Sequence, residues 1–341
     1  MKKLHVGAGA ALVGLMMSLA ACGGPSSDSA DTPVTPQPSI SDDAISDRPS
    51  KAEALADFEA ALERARATSG PGAPAMWTLS DEDTTINIFG TVHLLRPELD
   101  WRTPIFDDAL SQADKIVFEV DMKSDAAIRA IATDFLARGM FEDGRTLKGI
   151  LPEADEAVIS AAFDSIGVPL DAMNTFEPWM ASANLSMLKL TIDGYDPESG
   201  VETVIEEEAA AIGKAFGYLE EISQQADAFD LLPEADQISM LYSTALLIDE
   251  TSQMLDLLVD EWADGDVAGL EALVASPSGV GFNDAMYQSL LVTRNRAWVP
   301  QIEAMLDQPG AVLIAVGAGH LAGPDSVIKM LRDKGYTIEG P

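Results

Sequence analysis

The chain has 341 residues and carries 21 Lys and Arg against 56 Asp and Glu, a formal charge of −35. A surface of that sign is repelled by phosphate backbones, which excludes nucleic-acid binding through a basic face. A hydrophobic fraction of 47% and a slightly positive mean hydropathy exclude a disordered chain and supply a sizeable core.

Residues 1–21 read as a lipoprotein signal peptide. Lys2 and Lys3 precede an apolar run from Val6 to Leu19 that is short for a membrane span, which needs roughly 20 apolar residues. The run ends in Leu19-Ala20-Ala21-Cys22-Gly23, which resembles the bacterial lipobox, whose cysteine is acylated and becomes the mature N-terminus. The bland alternative is an ordinary secretory leader with an incidental cysteine. Cys22 is the only cysteine, so disulfides, zinc thiolates and cysteine nucleophiles are excluded from the folded part. Residues 22–50 are rich in Pro, Ser, Asp and Thr and read as a disordered tether carrying the lipid. The expected location is extracytoplasmic: a periplasmic domain, residues 51–341, bound to a membrane through its N-terminal lipid only. Gly23, where an Asp signals inner-membrane retention, favours the outer membrane.

Leu55, Phe58 and Leu62 at helical spacing predict an amphipathic helix over 51–67, broken by 69–74. The segments 76–79 and 85–89 read as a hairpin. A helix over 105–113 leads to an alternating strand over 115–122, with Val117, Glu119 and Asp121 on one face. Residues 124–308 are helical in pattern, and Ile238, Leu241, Ala245, Ile248, Leu255 and Trp262 mark one face of a long helix. The acidic run Glu206-Glu207-Glu208 reads as a solvated helix face, and the methionines as core filling. The apolar run 311–316 between glycines suits a buried strand, followed by a helix over 326–334 and a last strand over 336–339. The expected fold is α+β: one mixed sheet built from N- and C-terminal segments, with a large helical insert covering one side.

Two histidines remain after the leader. His93 lies in Gly90-Thr91-Val92-His93-Leu94 and His320 in Gly317-Ala318-Gly319-His320-Leu321. Each follows an apolar strand and has Gly three residues before it. Glycine there lets the backbone turn sharply or approach a ligand closely, and ligands of sheet proteins bind at strand ends. Glu119, mid-strand in this reading, would be costly to bury without a partner. Two imidazoles and a carboxylate make a divalent-metal site that can activate water. The competing readings are structural histidines, and a Glu119 that faces solvent or pairs with Arg or Lys.

The chain resembles the TraB/GumN family, related to Tiki-type metalloproteases and more distantly to erythromycin esterases and a haem-binding lipoprotein group. The resemblance covers residues 75–340. It rests on Met76-Trp77, the two Gly-x-x-His segments, Trp101-Arg102-Thr103-Pro104, Val117-Phe118-Glu119-Val120-Asp121, Gly194-Tyr195-Asp196, Gly213-Lys214, Tyr218-Leu219-Glu220, Gln224 or Gln225, and Arg294-Asn295. It implies that His93, His320 and Glu119 hold a metal, with Glu119 as ligand or general base. It also puts Glu220 and Arg294 on family-like positions. Glu221 departs from the Thr or Ser common after Leu-Glu. Arg294 could hold a substrate carboxylate or an oxyanion, or form a salt bridge with one of the many acids. The expected function is metal-dependent hydrolysis of an amide bond in a peptide or small molecule, with Mn, Co or Zn. The alternatives are a metal-independent esterase-like hydrolase with His93 as general base, and a non-enzymatic lipoprotein that binds haem or another ligand.

Overall fold

The computed structural model describes residues 48–274 and 283–341. The leader, Cys22 and the tether up to residue 47 lie outside the described residues. Arg48 already pairs with Asp155 of the folded body. No described helix is long and apolar enough to cross a membrane.

Six strands form one mixed sheet: β1 Met76–Ser80, β2 Thr84–Thr91, β3 Lys115–Phe118, β4 Ala215–Tyr218, β5 Gly310–Gly317 and β6 Ile338–Glu339, in the order β4-β3-β5-β2-β1-β6. β4, β3, β5 and β2 run parallel. β1 is antiparallel to both of its neighbours, β2 and β6. The principal helices are α1 Lys51–Ala65, α2 Pro104–Gln112, α3 Glu153–Ser165, α4 Pro178–Ile192, α5 Val201–Ala211, α6 Ile222–Asp230, α7 Glu234–Leu246, α8 Thr251–Asp264, α9 Val267–Leu273, α10 Thr293–Met305 and α11 Val327–Asp333. The α+β class and the sheet joined from both chain ends are as expected.

The helices cover both faces of the sheet, not one. Phe89, Ile116, Phe118 and Ala315 pack against Trp101, Phe106, Ile205 and Trp262. Ile86, Ile88, Val117, Ile314 and Val316 pack against Trp298, Ile302, Ile328 and Leu331. Alternation along each strand sends successive side chains to opposite faces, and both faces here are apolar, so both must be covered. A third core, with Phe163, Leu185, Ile238 and Leu241, binds α3, α4 and α7 to one another.

Three further expectations need correction. The strand expected over 115–122 ends at Phe118, because β4 ends alongside it at Tyr218. The long helix is two helices, α7 and α8, joined by a 3₁₀ turn at Ile248–Glu250. Its single stripe serves two cores: Ile238, Leu241, Ala245 and Ile248 in one, Trp262 in another. β4 is a strand within the stretch expected to be helical. Gly213, at φ 73°, ends the chain's run through α5 and releases four residues to pair with β3.

Candidate active site

The parallel strands deliver four polar side chains to one edge. β2 and β5 are paired so that Thr91 faces Gly317, which puts His93 and His320 just beyond the C-terminal ends of adjacent strands. Glu119 is the first residue after β3, and Glu220 the second after β4. The Glu119 carbonyl accepts bonds from the N–H groups of Leu219 and Glu220, which locks the two strand ends together. Both Gly-x-x-His glycines have ordinary negative φ, so they serve close approach and not a sharp turn. A Cβ on Gly90 would stand 3.2 Å from Ala318 Cα.

Arg294 ties the buried part of this edge together. Its Nη2 donates to Glu119 Oε2 at 2.6 Å and to Glu220 Oε1 at 2.5 Å, and its Nε donates to Glu220 Oε2 at 3.0 Å. Its Nη1 donates to the Leu290 carbonyl and to His320 Nε2, each at 3.0 Å. All five guanidinium protons are therefore spent inside the protein. The salt bridge weighed in the sequence is what forms, and no Arg294 donor is left for a substrate carboxylate or an oxyanion. Burial opposes the charge on Arg294, but the two carboxylates more than offset it and raise its pKa.

Glu119 is buried, which alone would raise its pKa. Arg294 first, then His320 and His93, and the Gly317 N–H at 2.7 Å hold it down to about 2. Glu119 thus sits just past the strand, not mid-strand, but it is buried and paired as its cost requires. His320 lies under Trp298, with ring centroids 4.3 Å apart. Burial and then Arg294 push its pKa down to about 3, so the ring is neutral. Its Nδ1 donates to Asn295 Oδ1 at 2.6 Å, while the Asn295 amide donates to the Asp325 carbonyl. This network assigns the proton to Nδ1 and the lone pair to Nε2, where Arg294 donates.

His93 differs from the rest: its side chain is 68% exposed, against 8% for Glu119 and 6% for His320. Its Nδ1 lies 2.7 Å from Glu202 Oε1, in the first turn of α5. Thr91 donates to the same carboxylate oxygen. The Val201 N–H donates to the Val92 carbonyl, and a Cβ on Gly200 would meet the His93 carbonyl at 2.2 Å, so α5 is seated directly on the histidine loop. Glu202 is the main cause that pushes His93 up to about 9; Glu119 adds and Arg294 subtracts. Water at the exposed ring screens this pair. With Nδ1 committed to Glu202, Nε2 is the atom presented to a substrate.

A divalent ion needs the lone pairs of its ligands aimed at one point. His93, His320 and Glu119 do surround one residue: a Cβ on Gly317 would stand 3.1 Å from Glu119 Oε1, 3.6 Å from His320 Cδ2 and 3.7 Å from His93 Nε2. The lone pairs of two of them, however, are engaged. Glu119 accepts from Gly317 and Arg294, and His320 Nε2 accepts from Arg294. Among the described residues no group of three or more His, Cys, Asp or Glu is arranged to hold a metal ion. The expected ligands do not fit a divalent metal in this arrangement, because a guanidinium already supplies the positive charge between them.

Sequence reasoning missed Glu202, which lies far from His93 along the chain and in no motif. It missed the role of Trp298, whose Nε1 donates to Glu220 Oε2 at 3.2 Å. Arg294, Asn295 and Trp298 share one face of α10 at helical spacing. A π-helical stretch, Gln288–Val292, precedes them, as such turns often do at functional sites.

The family model described as TraB/PrgY/gumN matches residues 75–340. A protein of Treponema pallidum (strain Nichols), described as uncharacterized, is 20% identical over 271 residues, covering 76% of this chain and 80% of that one. No solved structure matches.

Proposed function

Because this chain belongs to the TraB/PrgY/gumN family, we propose that it is a hydrolase of the bacterial cell envelope, held to a membrane by lipid on Cys22, that cleaves an ester or amide by acid–base catalysis at His93. One observation carries this reading: His93 is the exposed group above a buried, fully paired cluster, and Glu202 fixes its ring by Nδ1. Nε2 takes a proton from a water whose oxygen forms a bond to the substrate's carbonyl carbon. When the carbon–oxygen or carbon–nitrogen bond breaks, Nε2 returns the proton to the leaving group. Glu202 orients the ring and stabilises the imidazolium that forms. Arg294, Glu119, Glu220 and His320 are positioning residues in this reading, forming a rigid charged floor.

The metal-dependent reading keeps one supporting observation, the convergence of His93, His320 and Glu119 around Gly317. It requires Arg294 to leave both Glu119 and His320. The two readings separate in one experiment on protein purified as Cys22→Ser, which stays off the membrane. Hydrolysis of p-nitrophenyl acetate or an acyl anilide should survive EDTA, with far less than one equivalent of bound metal. Stoichiometric Mn, Co or Zn, lost in His93→Ala and in His320→Ala, would replace this reading with the metal-dependent one. Absence of any hydrolysis sinks both. The anchor has its own check: palmitate labelling should occur in the native chain and vanish in Cys22→Ser. Label retained in that variant refutes it.

A further inference from the structure

Beside the charged edge lies a second space of opposite character. One face each of α4, α7 and α8, together with Phe58 of α1, lines a half-open pocket of about 370 Å³. It falls in the size range of small-ligand sites, roughly 300–1,000 Å³. Sixteen residues line it and none is Asp, Glu, Lys or Arg, in a chain whose charged fraction is 23%. Its polar wall makes little demand on a ligand. The Ser182 and Thr244 hydroxyls bond each other at 2.8 Å, and Thr251 donates to the Leu247 carbonyl.

The cavity also touches both histidine loops. Leu255 of its wall packs in the cluster of Leu94, the residue after His93. Val274 of its wall approaches Gly319, the residue before His320: a Cβ there would stand 3.7 Å from Val274 Cγ2. Leu290, also in the wall, gives its carbonyl to Arg294. Such a space lies directly behind both histidine loops, and it offers a substrate mainly apolar contact with a few hydroxyls.

We propose that this cavity is the apolar substrate pocket of the site and takes a linear acyl or alkyl chain attached to the scissile carbonyl. The proposal rests on the hydrolase reading and narrows its substrate class. A peptide would bring amide groups that need partners, and this wall supplies few. Methionines 240, 254 and 286 can repack around a flexible chain as its length varies. A charged headgroup would find no counter-ion here and must stay on the His93 side.

The test uses p-nitrophenyl esters from acetyl to dodecanoyl, with the uncharged probe N-phenyl-1-naphthylamine as an independent measure of binding. KM should fall about fourfold per added methylene until the pocket is filled. The probe should fluoresce on binding and be displaced by 1-decanol. Ser186→Trp, or Met254→Trp should the first not fold, fills the cavity and should flatten the chain-length dependence and remove probe binding. Acetyl ester turnover with a KM independent of chain length, and no probe binding, would overturn the pocket and leave the hydrolase reading standing. Probe binding lost in the filled variants, with no ester cleaved, would support the pocket and overturn the hydrolase.

Discussion

Replacing Arg294 by methionine should destabilise the fold by about 3–5 kcal/mol, the range seen when one partner of a buried ion pair is removed. Two carboxylates, Glu119 and Glu220, share this one guanidinium, and their side chains are only 8% and 3% exposed. Methionine fills a similar volume, so the loss reports charge and hydrogen bonding and not a cavity. The pH dependence supplies a second signature. In the native chain Glu119 is held near 2, below its ordinary 4.5, so its contribution is full above pH 4.5 and is lost as pH falls toward 2. His320 is neutral in the fold, at about 3 against an ordinary 6.5, so its contribution also weakens as pH falls from 6.5 to 3. Removing Arg294 reverses the effect on Glu119: burial without its partner raises its pKa, and protonation then relieves the strain. The difference between variant and native stability should therefore shrink from pH 7 to pH 5 in urea titrations. Adding Glu119→Gln and Glu220→Gln to the variant should restore part of the loss. A loss below about 1 kcal/mol at pH 7 would mean that the cluster is not balanced by Arg294.

What could be read from the residues follows from where the information lies. His93, His320 and Glu119 each stand directly after an apolar run, and the rule that ligands collect at strand ends is local enough to see. The floor under them is not. Arg294 carries no sign of which of the 56 acids it will meet, so the sequence favours a salt bridge only slightly over a substrate anchor. Only the parallel register of β3 and β4 brings Glu119 and Glu220 to the same guanidinium. β4 itself is four residues long and stands among helices, too short for alternation to register. Val120, Asp121 and Met122 continue the alternation of β3 past its last paired residue, so Glu119 looked mid-strand. Glycine three residues before each histidine was legible as close approach, but what approaches was not. For Gly90 it is Ala318, and for Gly317 it is Glu119 and both histidines. The metal reading failed to fit because a countercharge supplied by the chain itself gives the same pattern of acids and imidazoles as one supplied by an ion.

His93→Ala should lower kcat/KM by about 100- to 10,000-fold, the usual contribution of a positioned acid–base group. The exposed ring opens no cavity on removal, so unfolding should be almost unchanged above about pH 9, whereas at lower pH the variant should lose the stability that Glu202 gives the imidazolium. Glu202→Gln is the sharper experiment. Glutamine can still accept the Nδ1 proton through its carbonyl oxygen, so the ring keeps its orientation while the charge beside it is removed. In the native enzyme the base form of His93 appears as pH rises through its own pKa, which Glu202 pushes up to about 9. The profile of kcat/KM should therefore climb on the alkaline side of neutrality. In Glu202→Gln the midpoint should fall toward the ordinary histidine value of about 6.5, and the plateau should drop because the imidazolium loses its stabilising partner. The two changes oppose each other, so the ratio of variant to native rate should be highest below about pH 6.5 and fall as pH rises toward 9. A merely structural Glu202 would lower the rate equally at every pH. An unshifted midpoint would therefore remove His93 as the titrating base and direct attention to the carboxylates beneath it.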